Sequence, residues 1–495
     1  MKLRSAGLDA GLWRSRYTGS ISSPPKGVKR VKNLVYRFRS LERLVGTGDD
    51  PGELEKLEIF FSAPSQLNDP LEGYKDIFWA GDSIVWQNLF KHYITCLVQH
   101  CFVHLLSIGS DQPSDCTVLI RNHCDGLPPG VSDLIDAVQA KALGYKEVVG
   151  YVNALADFRE VRLQALIFHF KVLHRIALHT ALSEMESRRL LPFSTRDIVD
   201  SLSKDLQTCE ETANGYLSDP TNEFDETIYE KADGYMLAAK LEHGSDKLHE
   251  SWFFLMAEFP EAFCKSLEDL THPKWYTACF MDDCTNSSVW GSYGANHTGV
   301  CLIYDAPLSE NGKPTLKVRV PVGRGSHGII KDVIPLELHK VDYERQFAKI
   351  DFFNSLGSLP VPTLNRFWYT DGKGGRSQCA MHLGSDEWRR DYWQSVIDTN
   401  TTKLKDWSFE REYRAILLPS VLDLTNSDSR KCSYDFDSLT GIIFGIKTPD
   451  AQKIRIIQIL RELCKRHGRS GFDIYQARYN PSEKKITHHR VAVDI

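Results

Sequence analysis

The chain has 495 residues, 42% of them hydrophobic and 25% charged, with a formal net charge of −5. That length exceeds what one simple core fills and predicts roughly two to four domains or subdomains. The composition excludes wholesale disorder, and the small net charge excludes a global basic field of the kind nucleic-acid binders carry.

Residues 1–33 carry Lys2, Arg4, Arg14, Arg16, Lys26, Lys29, Arg30 and Lys32 against a single Asp9. This stretch reads as a flexible, solvated arm. Contact with nucleic acid or an acidic partner, and an Arg-rich transit peptide, are the other readings. No apolar run follows the first basic residues, so no secretory signal is expected.

Residues 34–82 are strand-like. Leu34–Phe38 and Leu57–Ser62 have β-branched and aromatic character, a short helix falls at Leu41–Val45, and Ala63-Pro64-Ser65 and Asn68-Asp69-Pro70 are turns. From 83 to 272 the apolar spacing becomes helical, with expected helices at 83–107, 131–142, 148–187, 195–213, 225–242 and 248–270. Ile94–Gly109 and Leu163–Leu182 are apolar, yet too short or too interrupted for membrane spans. The stretch 205–233 is acidic and reads as an exposed face.

Residues 273–495 return to strands, at Tyr276–Phe280, Gly299–Tyr304, Leu316–Val322, Leu336–Tyr343, Arg414–Leu418, Leu439–Phe444 and Asp473–Arg478. Helices are expected at 343–356, 377–397 and 449–467. In the last, Asp450 is the expected cap, with Ile454, Ile457, Leu460 and Leu463 on one face. These patterns predict an α+β protein. Both chain ends (34–82 and 273–495) build one mixed or antiparallel β-rich domain, interrupted by a long all-helical insertion (83–272). Such an insertion costs little, because loop-closure entropy grows only logarithmically.

The twelve cysteines are scattered, with no CxxC pair. Free thiols in a reducing, cytoplasmic setting are expected. His92, Cys96, His100 and His104 recur every fourth residue, but that stride drifts around a helix, so packing is expected rather than a metal site. Gly323–Gly328 formally matches GxGxxG, yet a strand or loop follows where a dinucleotide fold needs a helix, so it reads as an inter-strand loop. Gly372–Gly375 reads as a mobile loop.

Glu410-Arg411-Glu412 is the leading chemical candidate. On an extended segment the two carboxylates share a face, and a close pair can divide its roles, one ionised and one handling a proton. An exposed strand face with Arg411 and Arg414 as counter-charges is the alternative. Asn68 and Asp69, with Glu72, form a rigid turn that could also meet a ribose or polar substrate. Trp290–Gly299 is rich in small residues, and could approach a ligand or simply fill the core.

Several motifs, taken in order, carry a resemblance. They are Tyr36-Arg37-Phe38-Arg39-Ser40; Phe61-Ser62-Ala63-Pro64 with Leu67-Asn68-Asp69-Pro70-Leu71-Glu72; Cys279-Phe280; Val289 through Val300; Lys405 through Arg414; and Ile443-Phe444-Gly445. Together they resemble the domain of unknown function 2971 family over roughly half the chain. The family's usual Trp-Ser-His-Tyr run is Trp290-Gly291-Ser292-Tyr293 here, so its His is absent.

The order Arg37, then Ser292 and Tyr293, then Glu410 and Glu412, is also similar to ADP-ribosyltransferases, without their Ser-Thr-Ser signature. That resemblance implies NAD as co-substrate, with Arg37 on the pyrophosphate, Tyr293 or Trp290 as the nicotinamide wall, Glu412 stabilising the oxocarbenium-like sugar and Glu410 serving the acceptor. It makes Glu412, Glu410, Arg37 and Tyr293 catalytic, and Arg37, Asn68, Asp69, Trp290, Ser292 and Tyr293 cofactor-binding. No metal is implied. The insertion or the basic arm would then select a protein or nucleic-acid target, in conflict or defence. A non-enzymatic recognition module and a carboxylate- or metal-dependent hydrolase or nuclease are the alternatives.

Overall fold

The computed structural model describes residues 32–47, 50–107, 116–123, 126–156, 159–191, 202–218, 252–326, 328–419 and 422–493, with isolated positions between 234 and 241. The basic arm (but for its last two residues), most of the expected helix 225–242, and residues 219–233 of the acidic stretch lie outside the described residues. The chain is α+β and divides into two compact units. A β-rich unit joins Met1–Tyr74, Lys274–Phe347 and Ile397–Ile495; a helical unit joins Lys75–Pro273 and Ala348–Val396.

The strands in chain order are β1 (Leu34–Arg39), β2 (Glu58–Phe60), β3 (Asp76–Trp79), β4 (Val161–Arg162), β5 (Tyr276–Met281), β6 (Val300–Asp305) and β7 (Thr315–Gly325). They continue with β8 (Gly328–Lys340), β9 (Lys349–Asp351), β10 (Glu412–Leu417), β11 (Lys431–Tyr434), β12 (Leu439–Phe444), β13 (Asp473–Asn480) and β14 (Lys485–Arg490).

In the β-rich unit eleven strands form one sheet, ordered β14-β13-β12-β6-β1-β5-β10-β8-β7-β11-β2. The amino-terminal β1 lies at its centre. It pairs antiparallel with β5 and, over six residues, with β6, so the chain ends share one core. Alternation divides the side chains cleanly between the two faces. One face buries Val35, Phe280, Leu302, Tyr304, Ala415 and Leu417 under the helix Asp450–His467. The other buries Phe38, Met281, Trp290, Cys301 and Ile303.

Two sequence expectations need correction here. The helix Asp450–His467 turns Ile456, Ile459, Leu460 and Leu463 inward and leaves Ile454 exposed, and Pro449 rather than Asp450 takes the N-cap position. No helix spans 343–356: Lys349–Asp351 is a strand there, because its backbone groups pair with β3. The link between β7 and β8, where Gly325 lies opposite Gly328, agrees with the inter-strand loop expected at Gly323–Gly328.

The carboxy end of β12 fits against the Trp290–Gly299 turn with no room to spare. Gly445 donates its N–H to Gly299 O at 3.0 Å, and a Cβ on Gly445 would lie 2.3 Å from His297 O. Gly445→Ala should therefore push the strand end off the turn and cost about 1–3 kcal/mol, read as a lower thermal midpoint.

The helical unit is built on the helices Ser83–Ser107, Pro129–Ala142, Lys146–Ala154, Leu163–Ser187, Leu202–Ser218 and Phe259–Ser266. It is not purely helical, since β4, β3 and β9 form a small sheet within it. The expected helix 148–187 breaks in two because Val161 and Arg162 pair with Trp79 and Phe78. Residues 348–396 belong to this unit rather than to the β-rich one. Phe352, Phe353, Leu356, Trp368 and Tyr369 are apolar and fully buried in the helical core, which decides their side.

The helix histidines pack as polar core members. Tyr93 Oη lies 2.6 Å from His174 Nδ1, Tyr151 Oη lies 2.8 Å from His169 Nδ1, and Ile120 O lies 2.9 Å from His92 Nε2. Burial lowers each of these imidazoles, which therefore stay neutral at physiological pH. Among the described residues, no helix is long and apolar enough to cross a membrane.

Candidate functional site

The chemistry-bearing residues of the β-rich unit converge on the sheet face opposite the helix Asp450–His467. β10 opens with Glu412, and Arg414, two residues on, projects to the same side. The guanidinium grips the carboxylate at two points, Nε to Oε1 and Nη2 to Oε2, both 3.0 Å. Its Nη2 also lies 2.8 Å from each carboxylate oxygen of Glu72, and its Nη1 donates to Asn400 O at 2.9 Å. Such bidentate, charge-assisted contacts are the strong class of side-chain hydrogen bond.

Lys403 is the second cation. Its Nζ is 2.8 Å from Glu410, 3.1 Å from Glu72 and 3.7 Å from Glu412, and 4.5 Å from the centre of the Trp407 ring. Tyr293 donates its hydroxyl to Glu410 Oε1 at 2.5 Å. The Glu412 N–H donates to Tyr343 Oη at 2.9 Å. The side chains of Glu72, Lys403, Glu410, Glu412 and Arg414 are all 3% exposed or less, so solvent offers them almost nothing.

Three carboxylates against two cations leave one uncompensated negative charge if all ionise, and the two glutamates respond differently. For Glu410, burial pushes the carboxyl above its ordinary value, and Lys403 only partly offsets this. For Glu412, burial pushes the same way, but the Arg414 guanidinium outweighs it and holds the carboxyl below its ordinary value. Burial pulls Lys403 down, yet Glu412, Glu72 and Glu410 together keep it above the usual ammonium value. The Tyr293 phenol is raised by burial and by Glu410, which keeps it a proton donor. Of the two glutamates, Glu410 is thus the one with the higher proton affinity.

The two glutamates meet by a different route from the one expected. Glu410 closes a 3₁₀ turn, Lys405–Glu410, and Arg411 takes a left-handed conformation at φ +50° before the strand begins. The pair is therefore joined across a backbone reversal, not along one strand face. Arg411 turns away to Asp282 at 2.7 Å.

Arg37 is not part of this site. β1 sets Tyr36 opposite Met281, and Glu412 is also opposite Met281, so those three share a face and Arg37 points to the other. There it donates to Cys279 O and Phe60 O, both at 3.2 Å, beneath the Phe280 ring. Two of its N–H groups thus meet backbone carbonyls, its Nε has no hydrogen-bond partner among the described residues, and the residue is 5% exposed, on the face away from the cluster.

The remaining expected residues divide the same way. Tyr293 joins the cluster. Trp290 is a core residue, its indole N–H on Cys284 O at 2.8 Å and its ring edge-on to Phe38. Ser292 and Asn68 are exposed. Asp69 is buried and serves its own turn: Oδ1 accepts from Leu71 N at 2.9 Å, and its carbonyl accepts from Glu72 N at 3.2 Å. That turn delivers Glu72 to Arg414 and Lys403. Lys403 carried no signal, since it stands alone before the Lys405–Arg414 motif. Arg414 was recoverable from its position two residues after Glu412.

Half-buried aromatics, Tyr293, Trp407 and Phe409, cover the Lys403–Glu410 end of the cluster. Among the described residues, no group of three or more His, Cys, Asp or Glu side chains is placed to hold a metal ion. No family model matches the chain, and neither a curated protein nor a solved structure matches it.

Proposed function

We propose that the chain is a non-enzymatic recognition protein, in which the buried charge cluster sets the shape of a binding face rather than breaking a bond. What carries this reading is that each cation is already engaged internally: Lys403 by Glu410 and Glu72, Arg414 by Glu412 and Glu72. A catalytic carboxylate must be free to meet a developing charge, whereas Glu412 is committed to a bidentate grip. The rim of Tyr293, Trp407 and Phe409 is of the residue type that anchors recognition surfaces. The motifs that resemble the domain of unknown function 2971 family all fall in the β-rich unit, which supports that unit as the shared module. The free cysteines among the described residues fit a reducing, cytoplasmic setting.

A second reading keeps the ADP-ribosyltransferase-like transfer from NAD, with the roles reassigned. Glu410, the carboxyl whose proton affinity burial raises, next to Tyr293, favours it, and would replace Glu412 as the working acid. Incubation of the full chain with labelled NAD and cell extract separates the two. The recognition reading expects no nicotinamide release and no label transfer above background. Release by the wild type that Glu410→Gln abolishes, with the variant still folded by circular dichroism, would overturn it in favour of the transferase.

A further inference from the structure

The helical unit contains a cleft of about 500 Å³, which neither the charge cluster nor the recognition reading of the β-rich unit involves. That volume suits a ligand the size of an amino acid or a nucleoside. We propose that it is a binding site for a small organic cation, an amine or guanidinium carried on a flat body.

The cleft is built rather than incidental. The helix Ser83–Ser107 is tied to the far wall by Asn88, whose amide donates to Trp368 O at 2.9 Å and Thr370 O at 2.8 Å. It is tied to the helix Pro129–Ala142 by Gln139, whose amide donates to Lys91 O at 2.9 Å and Thr95 Oγ1 at 3.0 Å. With both amide hydrogens used, Gln139 keeps its Oε1 as an acceptor.

His92 makes part of the lining and is 5% exposed. Burial pulls its imidazole down to about 3, so the ring is neutral. Its Nε2 faces a carbonyl, Ile120 O, and must therefore carry the hydrogen, which leaves Nδ1 an acceptor. The rings continue in series: His92 to His123 at 5.1 Å, and His123 to Phe367 at 4.8 Å. This is a flat wall for a flat ligand.

At the rim, Asp133 and Asp136 lie three apart on the helix Pro129–Ala142, hence on one side of it, both exposed and in no ion pair among the described residues. With Asp371, the lining carries three carboxylates against two cations, Lys91 and Arg366, besides the neutral acceptors. Of these cations, Arg366 lies 5.1 Å from the centre of the Phe367 ring, while Lys91 Nζ contacts Asn88 Oδ1 at 3.3 Å and burial makes it less favourable as an ammonium. A bound cation would compete with it.

Calorimetric titration of the full chain with tryptamine, tryptophol and indole-3-propionate tests this. Tryptamine should bind at least tenfold tighter than neutral tryptophol and tighter still than the carboxylate. The Asp133→Asn/Asp136→Asn variant, changed only at exposed positions, should lose roughly tenfold affinity for tryptamine, and Lys91→Met should gain affinity. Equal binding of the amine and the alcohol, preference for the carboxylate, or no binding of tryptamine would overturn the proposal. Melting curves of the variants verify that folding is unaffected.

Discussion

Arg414→Leu is expected to lower the unfolding free energy by about 3–5 kcal/mol, the cost of breaking a buried ion pair from one side. The guanidinium is fully buried and serves Glu412, Glu72 and the Asn400 carbonyl at once. Without it, two carboxylates at the centre of the β-rich unit depend on Lys403 alone. Urea unfolding should show a lower midpoint at unchanged slope. The double variant Arg414→Leu/Glu412→Leu should lose less than the single one, because an apolar pair leaves no orphaned charge at that point. Equal losses would mean that the pair is not the seat of the effect.

Glu412→Gln and Glu410→Gln should differ as sharply at neutral pH. The first breaks the grip on Arg414 and is expected to cost about 3 kcal/mol or more. The second replaces a carboxyl that already bears a raised proton affinity with an amide of the same shape, whose oxygen can still accept from Lys403 while its NH2 group donates to the Tyr293 oxygen. Its cost should be about 1 kcal/mol, that of an ordinary hydrogen bond. Chemical denaturation of the two proteins side by side measures the gap.

Much of the architecture was legible because it rests on short-range pattern. The Tyr276–Met281, Val300–Asp305 and Leu439–Phe444 strands are apolar runs of the right length, and the change to helical spacing after residue 83 is unmistakable. What was illegible depends on partners distant in sequence. Lys349–Asp351 becomes a strand only because Asp76–Trp79 lies beside it, and residues 348–396 join the helical unit because their aromatics are buried there.

The site was half legible for the same reason. Residue types identified Glu410, Glu412 and Tyr293, and the Asn68–Glu72 turn was seen without its purpose. The side on which Arg37 falls is set by register with β5 and β6, a property of pairing rather than of the β1 sequence. Lys403 has no periodic neighbour, and only the folded chain brings three glutamates to it.

The central claim is that the cluster is an internally paired lock whose two glutamates are displaced in opposite directions. Stability against pH, by urea unfolding of wild type, Glu410→Gln and Glu412→Gln, tests it directly. Glu412 lies below the ordinary value of 4.5 in the folded chain, so its contribution is present above about pH 4.5 and fades as pH falls. Glu410 lies above that value, so its contribution is present below about pH 4.5 and fades as pH rises through the folded value. The wild-type advantage over Glu412→Gln should therefore grow from acid to neutral pH, while that over Glu410→Gln shrinks. Slopes of the same sign, or two flat lines, would contradict the account.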